Sequence, residues 1–97
     1  MFMVPIYPPV AKDIWFVYMV RCSDGTLYTG ITKDLEKRVA AHNSGKNSAR
    51  YTRSRRPVRL VYSEQAESRA AAARLEFQIK KLKRSKKNNL INIESEE

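Results

Sequence analysis

Residues 14–31, IWFVYMVRCSDGTLYTGI, decide the fold, because they hold two apolar runs separated by one turn signal. The first run, residues 14–20, is continuously apolar, aromatic and β-branched, which is typical of a buried strand. Residues 23–25, Ser-Asp-Gly, favour a turn, and residues 27–31 have the composition of a second strand. The stretch therefore predicts an antiparallel β-hairpin.

The length of the turn decides which faces of the hairpin carry Tyr18 and Tyr28. A two-residue turn would put the two tyrosines on opposite faces. A three-residue loop shifts the pairing by one residue, so that Tyr18 faces Gly30 and Tyr28 faces Val20. Such loops end on a residue in the left-handed region, which suits Gly25. We predict the second register, with both phenols on one face.

Beyond the hairpin, capping residues and apolar spacing predict one more strand and three helices. In chain order they are a helix over 35–44 capped by Thr32 or Asp34 and ended by Gly45, a basic loop over 46–57 closed by Pro57, a strand over 58–62, a long helix opened by Ser63 or Glu67, and a short last helix over 85–91. The apolar stripe of the long helix consists of Ala72, Leu75, Ile79 and Leu82. The expected fold is α/β of the α+β kind, a small three-stranded antiparallel sheet flanked by helices in the order β-β-α-β-α-α.

One domain is expected, because 97 residues leave little room for a second. We assign residues 13–91 to this domain, with an N-terminal tail over 1–12 and an acidic C-terminal tail over 92–97. The N-terminal tail has prolines and no basic start, which argues against a signal peptide. No stretch approaches the roughly 20 apolar residues of a membrane span. Cys22 is the only cysteine, so no intrachain disulfide can form, and a reducing cytoplasm fits.

The chain is strongly basic, with 19 Lys and Arg against 10 Asp and Glu and a formal net charge of +9. Most of the basic residues lie between residues 46 and 87. A solvated surface is the plain interpretation of the lysines near the end of this stretch, whereas arginines in a loop are typical of a phosphate-binding face. The candidates for contact with nucleic acid are Lys46, Arg50, Arg53, Arg55 and Arg56.

Several polar residues are spaced so that they could share one site. Arg38 and His42 are four residues apart on a helix, so they share a face, off the stripe of Leu35 and Val39. We therefore expect that replacing either one leaves the domain folded, and that His42 titrates between about pH 6 and 8. Taken singly, the residues have plainer interpretations: Tyr18 as a core aromatic, Arg38 as a partner of Asp34, His42 as a charged residue at a helix C-terminus, and Glu76 as a partner of Lys80.

In their order, these residues resemble the motifs of the GIY-YIG nuclease family. The first half-motif stands as Val17-Tyr18-Met19 and the second as Tyr28-Thr29-Gly30, without the glycine of the first and the isoleucine of the second. The resemblance extends from residue 14 to about residue 91 and is closest to the small, single-domain bacterial members. The further motif residues are Arg38 and His42 on the first helix and Glu76 on the long helix.

Three other positions relate to the motifs. Gly30 beside an aromatic strand residue indicates a close approach to the backbone, and we expect the approach to be made by nucleic acid. Ile31 stands where many family members carry a lysine, with Lys33 nearby. Asn88 is a further candidate, since many members carry an asparagine at about that distance beyond the glutamate.

The resemblance implies a divalent-metal-dependent endonuclease that hydrolyses a DNA phosphodiester in repair or processing. Glu76 would bind one Mg²⁺ or Mn²⁺, and Arg38 would hold the scissile phosphate. Tyr18, as a phenolate favoured by nearby positive charge, would deprotonate the attacking water. Tyr28 would orient the water or the phosphate, and His42 would relay the proton.

Two other functions fit the charge: a non-catalytic nucleic-acid-binding module on the same fold, and a small RNA-associated basic protein. The complete set of site residues favours the nuclease, because a decayed site should have lost a member. DNA is the expected substrate, with RNA as the alternative, and no membrane is involved. Since no targeting domain accompanies the motifs, specificity is expected from a protein partner, from DNA shape or from dimerisation. Association with the bacterial nucleoid is the alternative to a free cytoplasmic location.

Overall fold

Seven elements of secondary structure build residues 14–95, the part of the chain that this computed structural model describes, with side chains through residue 92. They are β1 (Trp15–Arg21), β2 (Leu27–Thr32), α1 (Leu35–Ser44), α2 (Arg50–Arg53), β3 (Arg59–Ala66), α3 (Arg69–Lys80) and α4 (Arg84–Ser95). The predicted three-stranded antiparallel sheet with flanking helices is confirmed. The observed order is β-β-α-α-β-α-α, because α2 forms within the predicted basic loop. The predicted N-terminal tail lies outside the described residues.

β1 and β2 form the predicted hairpin in the predicted register. Tyr18 pairs with Gly30, and Val20 pairs with Tyr28, as a three-residue loop requires. Gly25 ends this loop in the left-handed region, at a φ of 86°, which a residue without Cβ adopts at no steric cost. The two phenols therefore start from the same face of the sheet.

β1 lies between β2 and β3 in the middle of the sheet and is covered on both faces. Successive residues of a strand point to opposite faces, and those of β1 enter two separate clusters. This burial on both sides explains why the first apolar run is continuous rather than alternating. One cluster contains Val17, Met19, Tyr62, Ile79 and Ile91, and the other contains Tyr18, Val20, Cys22 and Val58, flanked by the half-buried Tyr28, Leu35 and Val39.

α1 begins and ends as predicted, and it covers the face of the sheet that carries Tyr18. The Asp34 side chain caps the helix by accepting from the backbone N–H of Lys37 at 3.1 Å. Gly45 ends it in the left-handed region and donates its N–H to the carbonyl of Ala41 at 3.2 Å. These two ends fix the helix against the hairpin, so its inner face reaches the residues around Tyr18.

β3 is longer than predicted, and α3 starts later. The strand continues to Ala66, opposite Trp15 of β1, because an edge strand tolerates the polar residues that indicated a helix start. Ser68 is consequently the cap of α3, in place of the predicted Ser63 or Glu67.

α4 also extends beyond its predicted end at residue 91. It runs to Ser95, so the helix takes in the first residues of the predicted acidic tail. Nη2 of Arg84 anchors its start to the hairpin turn by donating to the carbonyl of Gly25 at 2.9 Å. None of the helices between residues 14 and 95 is long and apolar enough to cross a membrane.

Candidate active site

Tyr18, Tyr28 and His42 meet at the centre of the site, although they come from β1, β2 and α1. The rings of Tyr18 and Tyr28 pack edge-on against the imidazole, with centroids 5.9 and 5.4 Å away from it. The Tyr18 hydroxyl lies 2.8 Å from Nε2 of His42. Both phenols contact one imidazole, so they lie on one face of the sheet, as predicted.

His42 is fully buried, which the sequence interpretation did not anticipate. Its helix face is polar, yet that face packs against the sheet. The premise that His42 lies off the packed face is therefore wrong, and we expect its replacement to destabilise the fold. Burial, with the charge of Arg38 as the smaller cause, lowers the pKa of His42 from 6.5 to about 4. Burial thus outweighs the helix C-terminus, which favours the charged form. The imidazole is neutral between pH 6 and 8, where the sequence predicted its titration.

Thr52 of α2 fixes which nitrogen of His42 carries the proton. Its Oγ1 lies 2.7 Å from Nδ1 of His42, and its hydroxyl donates to the carbonyl of Ala49 at 3.1 Å. Because that hydroxyl proton points at Ala49, Oγ1 accepts from Nδ1–H, which leaves the lone pair of Nε2 for the hydroxyl of Tyr18. A directed chain of hydrogen bonds therefore runs from Tyr18 through His42 to Thr52, which is itself fully buried.

Tyr18 is almost completely buried, with only 1% of its surface exposed. Burial raises the pKa of its phenol above the ordinary value of 10.0, although hydrogen bonding and charge from Arg38 act in the opposite direction. The prediction of a phenolate favoured by positive charge is therefore wrong, because desolvation is the larger effect. Tyr18 is a neutral phenol that donates its proton to His42.

Arg38 extends from α1 toward the same cluster. Its Nη1 donates to the carbonyl of Asn47 at 2.6 Å, so it does not make the alternative pair with Asp34 that its spacing permitted. Asn47 presents this carbonyl from the left-handed region, at a φ of 58°, which asparagine tolerates. Arginine has five N–H donors. One anchor to the backbone therefore leaves several of them for a phosphate beside Tyr18.

Glu76 of α3 reaches the site from the side of the long helix. Its side chain is 22% exposed and forms an ion pair with Nζ of Lys80 at 3.2 Å, the plain structural interpretation of this residue. The pair is a partly solvated i,i+4 contact, which contributes only about 0.3–0.5 kcal/mol. A divalent cation, which binds a carboxylate more strongly, can therefore replace Lys80 as the partner of Glu76. The negative charge of Glu76 is also the smallest of the causes that raise the pKa of Tyr18, so the carboxylate is near enough to act on the phenol electrostatically.

The donor set around Glu76 fits one kind of metal ion and excludes another. Among the described residues, no group of three or more His, Cys, Asp and Glu side chains is arranged to hold a metal. Zinc requires such a set, whereas Mg²⁺ keeps several waters and binds through one or two carboxylates together with substrate phosphates. Glu76, a single carboxylate, fits the second case.

The side chain of Tyr18 approaches Gly30 closely. A Cβ on Gly30 would lie 2.6 Å from the Tyr18 hydroxyl oxygen and 2.8 Å from the ring carbon that bears it. This contact accounts for the glycine by packing, while contact of Gly30 with nucleic acid stays a prediction. The glycine makes room for the phenol that binds His42.

The five basic residues predicted to contact nucleic acid fall into two groups. Arg55 donates to Asp24 at 3.0 Å and to the carbonyl of Tyr51 at 2.7 Å. Arg56 donates to the carbonyl of Arg53 at 3.0 Å, so both arginines hold the segment around α2 in place. The side chains that remain exposed without such a role are Lys46, Arg50 and Arg53.

Asn88 lies on α4, outside the hydrogen-bond chain of the cluster. Its Oδ1 accepts from Nε of Arg84 at 3.4 Å, one helical turn earlier. The preceding residue, Lys87, lines a cavity together with Tyr28. The beginning of α4 is therefore close to the site, while Asn88 has a structural partner of its own.

Sequence reasoning missed Thr52 and Tyr51. Both lie in a stretch whose arginines indicated a solvent-exposed loop, and a four-residue helix has too little periodicity to be recognised. The ring of Tyr51 stacks on Tyr28 at a centroid distance of 6.0 Å. The signal that could have found Thr52 is the buried histidine itself, because its second nitrogen needs a partner.

Known proteins are similar to this chain in sequence and in fold. The GIY-YIG catalytic domain matches residues 14–89. A UPF0213 protein of Desulfotalea psychrophila is 50% identical over 84 residues, which cover 87% of this chain and 76% of that protein. A UPF0213 protein of Staphylococcus aureus (strain N315) is 52% identical over 79 residues, which cover 81% of this chain and 95% of that protein.

Two solution NMR structures are also similar. The UPF0213 protein from Bacillus halodurans is 42% identical with a TM-score of 0.53, covering 82% of this chain and 84% of that one. A protein from E. faecalis is 38% identical with a TM-score of 0.59, covering 89% of this chain and 91% of that one. The chain therefore belongs to the GIY-YIG family of nuclease-type domains, which act on nucleic acid and generally use divalent metal ions.

Proposed function

We propose that this domain is a divalent-metal-dependent endonuclease that hydrolyses a phosphodiester bond of DNA. The observation that carries the proposal is the buried chain from Tyr18 to His42 to Thr52, in which the phenol of Tyr18 also feels the charges of Arg38 and Glu76. The phenol of Tyr18 thus has a neutral, oriented base as its acceptor, which is the arrangement that a tyrosine needs in order to pass on a proton.

The proton path begins at the hydroxyl of Tyr18. As a water attacks phosphorus, one of its protons moves to the Tyr18 oxygen while the phenol proton moves to Nε2 of His42. The new P–O bond forms, the bond to the 3′ oxygen breaks, and this oxygen takes up a proton from solvent. The phenol thus never needs to be a free phenolate, which its raised pKa disfavours.

Arg38 links phosphate binding to the basicity of His42. Its guanidinium is one of the causes that lower the pKa of His42. A phosphate bound at Arg38 would offset that positive charge, so His42 would accept a proton more readily with the substrate in place. The same guanidinium would offset the negative charge that grows on the phosphate in the transition state.

Glu76 would hold the divalent ion, with waters and phosphate oxygens as the remaining ligands. The ion would supply stabilisation of charge on the scissile phosphate and on the leaving 3′ oxygen. Lys80 would keep the Glu76 carboxylate oriented before the ion binds, since the two are 3.2 Å apart.

We place the activity in DNA repair or processing in the cytoplasm. Specificity would come from a protein partner, from DNA shape or from dimerisation. The alternative function is a non-catalytic nucleic-acid-binding module on the same fold. The ion pair between Glu76 and Lys80 is compatible with that module, because it gives the carboxylate a partner without a metal ion.

Cleavage of a supercoiled plasmid tests the proposal. The wild type should nick the plasmid with Mg²⁺ or Mn²⁺ and stop in EDTA. Glu76→Gln should abolish nicking, while its affinity for DNA stays equal or rises, because a charge that repels phosphate is lost along with the metal ligand. Glu67→Gln is the matched control on an exposed glutamate and should nick normally. Binding without any metal-dependent nicking by the wild type would leave the non-catalytic module as the function.

A further inference from the structure

A small cavity lies directly beside the catalytic cluster, where β2, α2, α3 and α4 meet. Its volume is about 220 Å³, and its lining residues are Leu27, Tyr28, Thr29, Tyr51, Lys80 and Lys87. It adjoins the candidate active site at two points, since Tyr28 packs against His42 and Lys80 pairs with Glu76. A molecule in the cavity would therefore lie next to the candidate active site.

One wall of the cavity is aromatic and held in place. Tyr51 is 38% exposed, and its ring stacks on Tyr28 with an interplanar angle of 20°. The guanidinium of Arg55 lies 4.0 Å from the Tyr51 ring centroid and is itself held by Asp24. Because Tyr28 and Arg55 already lie over the Tyr51 ring, a flat ligand would pack against the exposed edge of this aromatic pair. A wall that is fixed before binding costs little ordering entropy when the ligand packs against it.

The rest of the cavity has a complementary character. Leu27 gives an apolar surface, Thr29 a hydroxyl, and Lys80 and Lys87 two ammonium groups. Aromatic side chains beside positive charges are the combination that binds single-stranded nucleic acid, with bases on the rings and phosphates on the cations.

The size of the cavity limits how much it can hold. Pockets for drug-sized ligands span roughly 300–1,000 Å³, so a cavity of about 220 Å³ has room for about one base. A base inside a duplex is stacked on both sides and cannot reach such a wall without leaving the helix. An unpaired base enters at the lowest cost in free energy, because it has no base pair to break.

We infer that this cavity is a subsite for one unpaired nucleotide next to the bond that is cut, its base against the wall of Tyr28 and Tyr51 and its phosphate on Lys80 and Lys87. The inference rests on the proposed function and adds the substrate class. The preferred substrate is DNA in which a nucleotide beside the scissile bond is unpaired, as in a single strand or at a junction of single and double strands.

Binding measured in EDTA tests the subsite, because no cleavage is needed for the result. Fluorescence anisotropy compares one oligonucleotide as a single strand and as a duplex. Tyr51→Ala should weaken binding of the single strand roughly tenfold, the scale of losing one base–aromatic contact, and leave duplex binding about unchanged. Tyr51→Phe should bind like the wild type. Phe77→Ala is the matched control, since Phe77 is an exposed aromatic with Lys81 over its ring at 4.9 Å.

A second variant and a fluorescent base test the subsite in ways that do not depend on whether Tyr51→Ala folds fully. Lys87→Ala, on the surface of α4, should weaken binding of the single strand and lower its salt slope by about 0.7 units. 2-Aminopurine at the unpaired position should be quenched by the wild type and less so by Tyr51→Ala.

Equal losses for single strand and duplex with Tyr51→Ala, or a wild type that prefers duplex, would overturn the subsite. A protein that cuts duplex DNA normally and shows no preference for unpaired nucleotides keeps the nuclease proposal and loses the subsite. A protein that binds single strands through Tyr51 but never cuts keeps the subsite and loses the nuclease.

Discussion

At the scale of single residues, the Thr52 hydroxyl serves two partners at once, the Nδ1–H of His42 and the carbonyl of Ala49. Thr52→Val keeps the shape and removes the hydroxyl. We expect it to lower the free energy of unfolding by about 1–3 kcal/mol, the cost of leaving a buried donor without an acceptor. Thr52→Ser should restore most of that loss.

The same pair of variants separates positioning from packing. If Thr52 fixes the tautomer of His42, ¹⁵N NMR should show Nδ1 protonated in the wild type and in Thr52→Ser, and a mixture of tautomers in Thr52→Val. Nicking should follow the tautomer, so Thr52→Ser cuts and Thr52→Val does not. Normal nicking by a folded Thr52→Val would show that the threonine matters for packing alone.

His42 makes the stability of the domain depend on pH. Its pKa is about 4 in the folded state and 6.5 in the reference state, so below pH 6.5 the unfolded chain binds the extra proton. Stability is therefore complete above pH 6.5 and decreases as the pH falls toward 4, by up to about 3 kcal/mol. Urea unfolding of the wild type at several pH values measures this decrease.

His42→Gln should remove that dependence while lowering stability at pH 7, because the amide cannot be protonated. Asp24 does not interfere in this window, since hydrogen bonds from Thr26 lower its pKa below 3.8. A wild-type stability that stays constant from pH 7 to pH 5 would contradict a buried neutral imidazole.

At the scale of elements, β1 and β2 are joined at the site by the contact between Tyr18 and Gly30. Gly30→Ala puts a methyl group 2.6 Å from the phenol oxygen, and the ring cannot move without giving up its bond to His42. We expect a loss of about 1–3 kcal/mol from overpacking, together with loss of nicking. Thermal and urea unfolding measure the loss of stability, and the plasmid assay measures the loss of nicking.

A double-mutant cycle assigns that loss to the phenol. In a Tyr18→Phe background the nearest atom is gone and the ring is no longer anchored to His42, so Gly30→Ala should cost clearly less. Equal costs in the two backgrounds would mean that the methyl group clashes with something other than Tyr18.

The elements also show what local sequence determines. The hairpin register and both ends of α1 followed from glycine and capping residues, because their preferences act within a few residues. β3 was predicted too short, since its last residues are held by pairing with β1 rather than by their own composition. α2 went unseen, and with it the role of Thr52, because four residues between arginines carry no periodic signal.

The candidate site also has one part that the sequence predicted and one part that depends on tertiary packing. The hairpin register predicted that Tyr18 and Tyr28 share a face, and the family resemblance added His42; the three rings lie together in the structure. Their protonation could not be predicted, because burial raises the pKa of Tyr18 and lowers that of His42. Burial is a property of the packed sheet and helix, and it reversed both expectations that were based on neighbouring charge alone.

At the scale of the whole molecule, a formal net charge of +9 predicts affinity for any polyanion. Whether that charge acts as a whole or through one face decides how DNA sits on the domain. Because Arg55 and Arg56 hold the α2 segment in place, reversing them would disturb the site as well as the charge. The exposed residues Lys46, Arg50 and Arg53 carry the test instead.

Replacing Lys46, Arg50 and Arg53 with glutamine should lower the salt dependence of DNA binding by about 0.9 units for each phosphate contact that is lost. The matched control replaces Lys37, Arg59 and Arg74, three exposed residues spread over α1, β3 and α3, and makes the same change in net charge. We expect the control to alter the slope much less, since its residues are dispersed rather than grouped beside Arg38 and Thr52. Equal slopes for the two triple variants would mean that DNA responds to total charge, and the face around α2 would lose its role as the docking surface.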